Sequence, residues 1–163
     1  MQTSHFNTIE ALKILFVEDN EDDCQLILNE LKKDKIKIDY KRVYSEKDLR
    51  KALQEECWDL VLSDYNMPMF SGGDALRAFV EFGLNIPFII ISGTIGEYVA
   101  VEIMKLGASD YVLKSNLVRL RAAIFREIEA SRSRQKAKAV EKALKESERQ
   151  LQLAQKMEAI GLL

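Results

Sequence analysis

Several things are scarce in this sequence. Cysteine occurs twice, as Cys24 and Cys57, far apart and without CxxC spacing, so the pair reads as reduced thiols of a cytosolic protein and not as a disulfide staple. Histidine occurs once, as His5 in the N-terminal lead. No stretch approaches the roughly 18 consecutive apolar residues of a membrane span. The start, MQTSHFNTIEALK, lacks the basic-then-apolar layout of a signal peptide. An excess of charge is missing too: the net value of −2 gives no reason to expect contact with nucleic acid or a bilayer. Glycine and proline are rationed by position. Six of the seven glycines and both prolines lie between residues 68 and 107, and neither residue recurs until Gly161. A turn-rich region to about residue 114 is thus followed by a long uninterrupted one.

What remains is the composition of a globular protein. The 163 residues are 47% hydrophobic and 31% charged, enough for one ordinary domain with an appendage. Short β-branched or aliphatic runs occur at 14–17, 36–43, 60–63, 88–91 and 111–113. Between them lie segments with apolar residues three or four apart, such as Cys24, Ile27, Leu28 and Leu31, or Val99, Ile103 and Leu106. The runs ILFV, LVL and FIII show no polar alternation, which predicts strands covered on both faces. Five strands alternating with helices predict an α/β fold: a parallel sheet with right-handed crossovers, sandwiched between helices. Ligands of such sheets bind outside the carboxyl ends of the strands.

The residues that end these runs carry the chemistry. Glu18 and Asp19 follow the first run, and Asp64 follows the third, with Asn66 two residues on. Ser92 follows the fourth and Lys114 the fifth. Singly, each has an ordinary alternative: a loop acid pair, a turn former before Pro68, a helix cap, a surface lysine. Together, at four strand ends of one parallel sheet, they gather on one edge. Three adjacent carboxylates repel and raise one another's pKa. One lysine neutralises only part of that charge, and a hard divalent cation such as Mg²⁺ would complete the balance. A carboxylate beside a cation, a hydroxyl and a lysine is a credible nucleophile toward phosphorus, forming an acyl phosphate.

The segments KILFVEDNEDD, DLVLSDYNMP, FIIISG and DYVLKS resemble the four signature segments of the response-regulator receiver domain of two-component signalling, over roughly residues 12–130. The resemblance implies a doubly wound, flavodoxin-like fold of five parallel strands in the order 2-1-3-4-5. It implies Asp64 as phosphoacceptor, with Glu18, Asp19 and the backbone carbonyl of Asn66 around Mg²⁺. It also implies Ser92 as a hydroxyl switch, Lys114 as the lysine pairing with the phosphoryl group, and Tyr111 as an aromatic switch that turns inward when Ser92 moves. Two positions depart from the family pattern. Ser115 stands where a proline usually follows the lysine in a cis peptide, and FSG replaces the acidic MDG turn, leaving Gly72 as the match.

Beyond the fifth run, Ser115 or Asn116 can cap a helix whose stripe Leu117, Leu120, Ile124 and Ile128 suits packing on the sheet. After residue 131 the composition turns to RSRQKAKAVEKALKESERQ, a strong helix former. Unbroken to Gly161, such a helix would extend roughly 65–70 Å at about 1.5 Å per residue. Val140, Leu144, Ser147, Leu151 and Ala154 step 4-3-4-3, a short heptad seam that suggests a parallel homodimer. QLQLAQKMEAIG resembles the start of the dimerisation and phosphotransfer helix of sensor histidine kinases. The expected organisation is therefore a lead over 1–11, a receiver domain over 12–130 and a helical connector over 131–163, from a hybrid kinase cut before its kinase core.

The function expected is that of a cytoplasmic signalling switch and not an enzyme. A histidine kinase or phosphotransfer protein would present phosphohistidine to Asp64, and histidine kinase activity would need sequence beyond residue 163. A phosphorylation-independent interaction module of the same fold is the alternative, motivated by Ser115. A phosphate-ester hydrolase using Asp64 is disfavoured, because Asn66 stands where a second catalytic aspartate would be needed.

Overall fold

The computed structural model describes residues 9–94 and 96–161; the lead segment with His5 falls outside the described residues. Its elements alternate as the apolar runs predict. They are β1 (Ala11–Val17), α1 (Glu21–Lys32), β2 (Lys37–Val43), α2 (Glu46–Glu55), β3 (Leu60–Asp64), α3 (Gly72–Glu81), β4 (Phe88–Ser92), α4 (Glu97–Leu106), β5 (Asp110–Leu113) and α5 (Leu117–Ala159). All strand pairs are parallel, and the sheet order is β2-β1-β3-β4-β5. This is the five-stranded doubly wound sheet, in the order that the family resemblance implies.

The two-residue period of the strands divides the core. Leu12, Ile14 and Phe16 of β1, Leu60 and Leu62 of β3, and Ile89 and Ile91 of β4 face α1 and the start of α5, meeting Cys24, Leu28, Leu120 and Ile124. Leu15, Val17, Val61, Phe88 and Ile90 face the other way, toward Leu49, Leu76, Phe79 and Ile103 of α2, α3 and α4. Burial on both faces explains why the central strands carry no polar alternation. β2 and β5 are the edge strands, and the exposed Lys37, Asp39 and Lys41 of β2 discourage pairing with another chain.

Helix starts are fixed by local chemistry. The Asn20 side chain accepts from the backbone N–H groups of Asp22 and Asp23 at 2.9 and 3.4 Å, and Glu21, Asp22 and Asp23 load the first turn of α1 with negative charge. Ser71 and Asp74 form a reciprocal capping box on α3. Asn116 Oδ1 accepts from Arg119 N at 3.0 Å at the start of α5.

The chain forms two compact units, the first reaching Ile128 and the second beginning at Glu129. The second is the distal part of α5, laced by Lys145–Glu141 and Arg149–Glu146 pairs. Val140, Leu144 and Leu151 are all more than half exposed along it. Among the described residues, no helix is long and apolar enough to cross a membrane.

Candidate functional site

Strand register assembles the site. Val17 pairs with Ser63, so Glu18 and Asp64 leave the carboxyl ends of β1 and β3 side by side. Asp64 pairs with Ile91, which brings Ser92 alongside. Ser92 pairs with Leu113, and its carbonyl accepts from the backbone N–H of Lys114 at 2.8 Å. The crevice lies where strand order reverses between β1 and β3, the place where doubly wound sheets bind ligands.

Carboxylate oxygens of Glu18, Asp19 and Asp64 all lie within 4.8 Å of one another. Glu18 and Asp64 are buried, whereas Asp19 is open to solvent. Lys114 Nζ reaches into this group: it sits 2.6 Å from Asp23 Oδ2, 3.3 Å from Asp64 Oδ1 and 3.4 Å from Glu18 Oε2. The contacts to Asp23 and Glu18 are hydrogen bonds. The one to Asp64 is an ion pair without hydrogen-bond geometry, so Asp64 Oδ1 is a buried oxygen that no described residue hydrogen-bonds. A buried carboxylate oxygen of this kind is costly unless a ligand completes it. Three hard oxygen donors and an orphaned carboxylate oxygen fit a hydrated Mg²⁺ better than a soft metal.

Burial dominates the electrostatics. It lifts Glu18 from 4.5 to about 7; the bond from Asn20 N opposes this, the Asp64 charge adds to it, and Lys114 offsets part. For Lys114, burial pulls the pKa down, but the bond to Asp23 and the charges of Glu18 and Asp64 outweigh it, and the net shift is upward. The lysine is therefore held as ammonium.

Asn66 and Ser92 are linked to each other. Asn66 Nδ2 donates to Ser92 Oγ at 3.2 Å, and Ser92 Oγ donates to the Thr94 carbonyl at 3.2 Å. Ser92 has no solvent exposure. Tyr111 is the remaining residue of the expected set. It lies on β5, half-buried against the core cluster of α2, α3 and α4, in register with Ile90. The trans peptide between Lys114 and Ser115 still leaves the ammonium within ion-pair distance of Asp64.

Two neighbours escape the sequence reading. Asp23 reads as an ordinary first-turn acid, yet its carboxylate is the nearest partner of Lys114. Arg42, half-buried on β2, donates from Nη1 to the carbonyls of Glu18 and Asp19 at 3.1 and 3.2 Å, fixing the loop that carries both acids. The targets of Arg42 are main-chain carbonyls, which carry no side-chain signature in the sequence. Nothing in the sequence links Asp23 to Lys114.

Comparison with known proteins places these observations. A family profile for the response regulator receiver domain matches residues 14–125. The cell cycle transcriptional regulator CtrA of Caulobacter vibrioides is 32% identical over 105 residues, which are 63% of this chain and 44% of that regulator. The chain spans under half the length of the curated relatives it matches. Among solved structures, a response regulator receiver domain from Clostridium thermocellum is similar with 28% identity and a TM-score of 0.65, covering 74% of this chain and 97% of that one. The receiver domain of a sensor histidine kinase from Pseudomonas aeruginosa, solved with magnesium in its active-site cleft, shares the fold at 22% identity and a TM-score of 0.62, covering 73% and 98%.

Proposed function

This chain belongs to the response-regulator receiver family, and we propose that Asp64 is its phosphoacceptor. One observation carries the reading: a buried, unbonded carboxylate oxygen at a strand end, with a lysine ammonium 3.3 Å away and two further acids beside it. Asp64 Oδ1 attacks the phosphorus of a phosphohistidine presented by a histidine kinase or phosphotransfer protein. The O–P bond forms as the P–N bond breaks, and the electron pair returns to the imidazole nitrogen. Lys114 neutralises charge on the phosphoryl oxygens during transfer and pairs with them afterwards. Glu18, Asp19, Asp64 and the Asn66 carbonyl would hold Mg²⁺, which supplies further neutralisation of that charge.

The acyl phosphate then biases a two-state element. Ser92 gives up its bond to the Thr94 carbonyl to donate to the phosphoryl group, and Tyr111 fills the space vacated beside it. The change passes into α5, whose segment beyond residue 131 acts as the connector to an output. The exposed seam of Val140, Leu144 and Leu151 pairs with a second copy of the chain. The two free thiols suit the cytoplasm, where such relays operate.

Incubation with acetyl phosphate and Mg²⁺, followed by intact mass measurement, tests the assignment. One phosphoryl mass should appear, and it should be absent after chelation or in Asp64→Asn. A wild-type protein that gains no mass would favour the phosphorylation-independent module, and an Asp64→Asn protein that gains it would remove Asp64 from its role.

A further inference from the structure

We infer that Asp23 is a positioning residue for Lys114, clamping its ammonium at the mouth of the cleft so that it is in place when a phosphoryl group arrives; this rests on the phosphoacceptor reading of Asp64. The Lys114 backbone is anchored at the end of β5, where its N–H donates to the Ser92 carbonyl. The stem beyond is a flexible four-carbon chain, and ordering it costs rotamer entropy. Something must therefore fix the far end.

Of the three carboxylates in reach, Asp23 makes the shortest contact, at 2.6 Å. Asp64 offers ion-pair distance without a hydrogen bond, and Glu18 lies at 3.4 Å. Asp23 is also the one of the three outside the acidic trio. A cation bound there would share the charge of Glu18 and Asp64 and weaken their hold on the lysine, while Asp23 would keep its own. The clamp is itself rigid: Asp23 lies in the first turn of α1, and its backbone N–H is tied to the Asn20 cap. Its side chain remains 39% exposed against 5% for Asp64, so the ammonium spans rim and floor of the cleft. An ammonium has three donors, and the bonds to Asp23 and Glu18 use two, which leaves the third for the phosphoryl oxygen.

A double-mutant cycle tests this, reading the rate at which acetyl phosphate with Mg²⁺ adds phosphoryl mass to the chain. Wild type, Asp23→Asn, Lys114→Gln and the double variant are compared across acetyl phosphate concentrations, after urea unfolding has verified that each is folded. Asp23→Asn should lower the maximal rate by about fivefold, the scale of a part-exposed ion pair. The half-saturating concentration should not change. The same substitution in the Lys114→Gln background should have no effect, and Asp23→Glu should stay within about twofold of wild type. An unchanged or higher rate in Asp23→Asn overturns the inference. So does an equal effect in both backgrounds, because removing a negative charge near an anionic donor acts without Lys114. Asp64→Asn run in parallel separates the two readings: phosphoryl mass there defeats the phosphoacceptor assignment, whereas a failed cycle with a silent Asp64→Asn defeats only the clamp.

Discussion

Replacing Gly72 by alanine sets two effects of opposite sign against each other. Gly72 opens α3, and alanine is the better helix former by up to about 1 kcal/mol, partly through a less free unfolded chain. A Cβ at this position, however, would lie 2.6 Å from the Asp64 carbonyl oxygen and 2.8 Å from the Tyr65 Cα. Both are backbone atoms, so neither can rotate away. Overpacking of this kind costs about 1–3 kcal/mol, and the backbone character of the contact places it at the upper end. Subtracting the helix gain leaves a net loss of about 2 kcal/mol, or roughly 1 M in the urea midpoint at an ordinary slope.

The neighbouring Gly73 supplies the control. There a Cβ would meet Ser71 Oγ at 3.6 Å and Arg77 Nη1 at 3.9 Å, which is ordinary contact. Gly73→Ala should thus be neutral or slightly stabilising. Urea unfolding followed by the circular dichroism of both variants measures this directly. The clash at Gly72 also presses on the peptide carrying Asp64, so phosphorylation by acetyl phosphate should slow in Gly72→Ala and not in Gly73→Ala. A Gly72→Ala protein as stable as Gly73→Ala, with an unchanged phosphorylation rate, would refute the argument that only glycine fits behind Asp64.

Other perturbations test other links. Glu18 titrates near 7 in the fold against 4.5 for the free side chain, so the folded state binds the extra proton between those values. In chelator the stabilisation from neutral Glu18 is full below about pH 4.5 and is lost as pH rises through 7, by roughly 3 kcal/mol in all. Urea midpoints from pH 5 to 8 should therefore fall more steeply for wild type than for Glu18→Gln, and equal slopes would contradict the burial argument. Millimolar Mg²⁺ should flatten the wild-type slope by favouring the ionised carboxylate. Ser71→Ala removes the reciprocal cap with Asp74 and should cost about 1 kcal/mol in the same assay; an unmoved midpoint would show the cap to be idle. Leu144→Glu and Leu151→Glu should each shift the chain toward monomer in sedimentation equilibrium, and a wild type already monomeric at high concentration would remove the proposed pairing.

Periodicity made the architecture legible. Short, unbroken aliphatic runs in β1, β3 and β4 pointed to strands covered on both faces, and the structure gives each face its own set of helices. The acidic trio was legible for a related reason. Parallel strands put all their carboxyl ends on one edge, so the sequence alone groups Glu18, Asp19, Asp64, Ser92 and Lys114 there. The clamp on Lys114 was not legible, because Asp23 lies 91 residues away in sequence and its local surroundings already account for it as a first-turn acid. Arg42 was hidden differently: its target is main-chain carbonyl, which carries no side-chain signature. The bond from Asn66 to Ser92 likewise joins residues 26 apart in sequence, with nothing local to announce it.

The central claim is that a phosphoryl group is carried on the carboxylate of Asp64. Borohydride reduces an aspartyl phosphate to homoserine, and peptide mass mapping then reports the residue at which reduction occurred. After treatment with acetyl phosphate and Mg²⁺, homoserine should appear at position 64 and nowhere else. Homoserine at position 19 or 23, or a stable phosphoryl mass that borohydride leaves untouched, would contradict it.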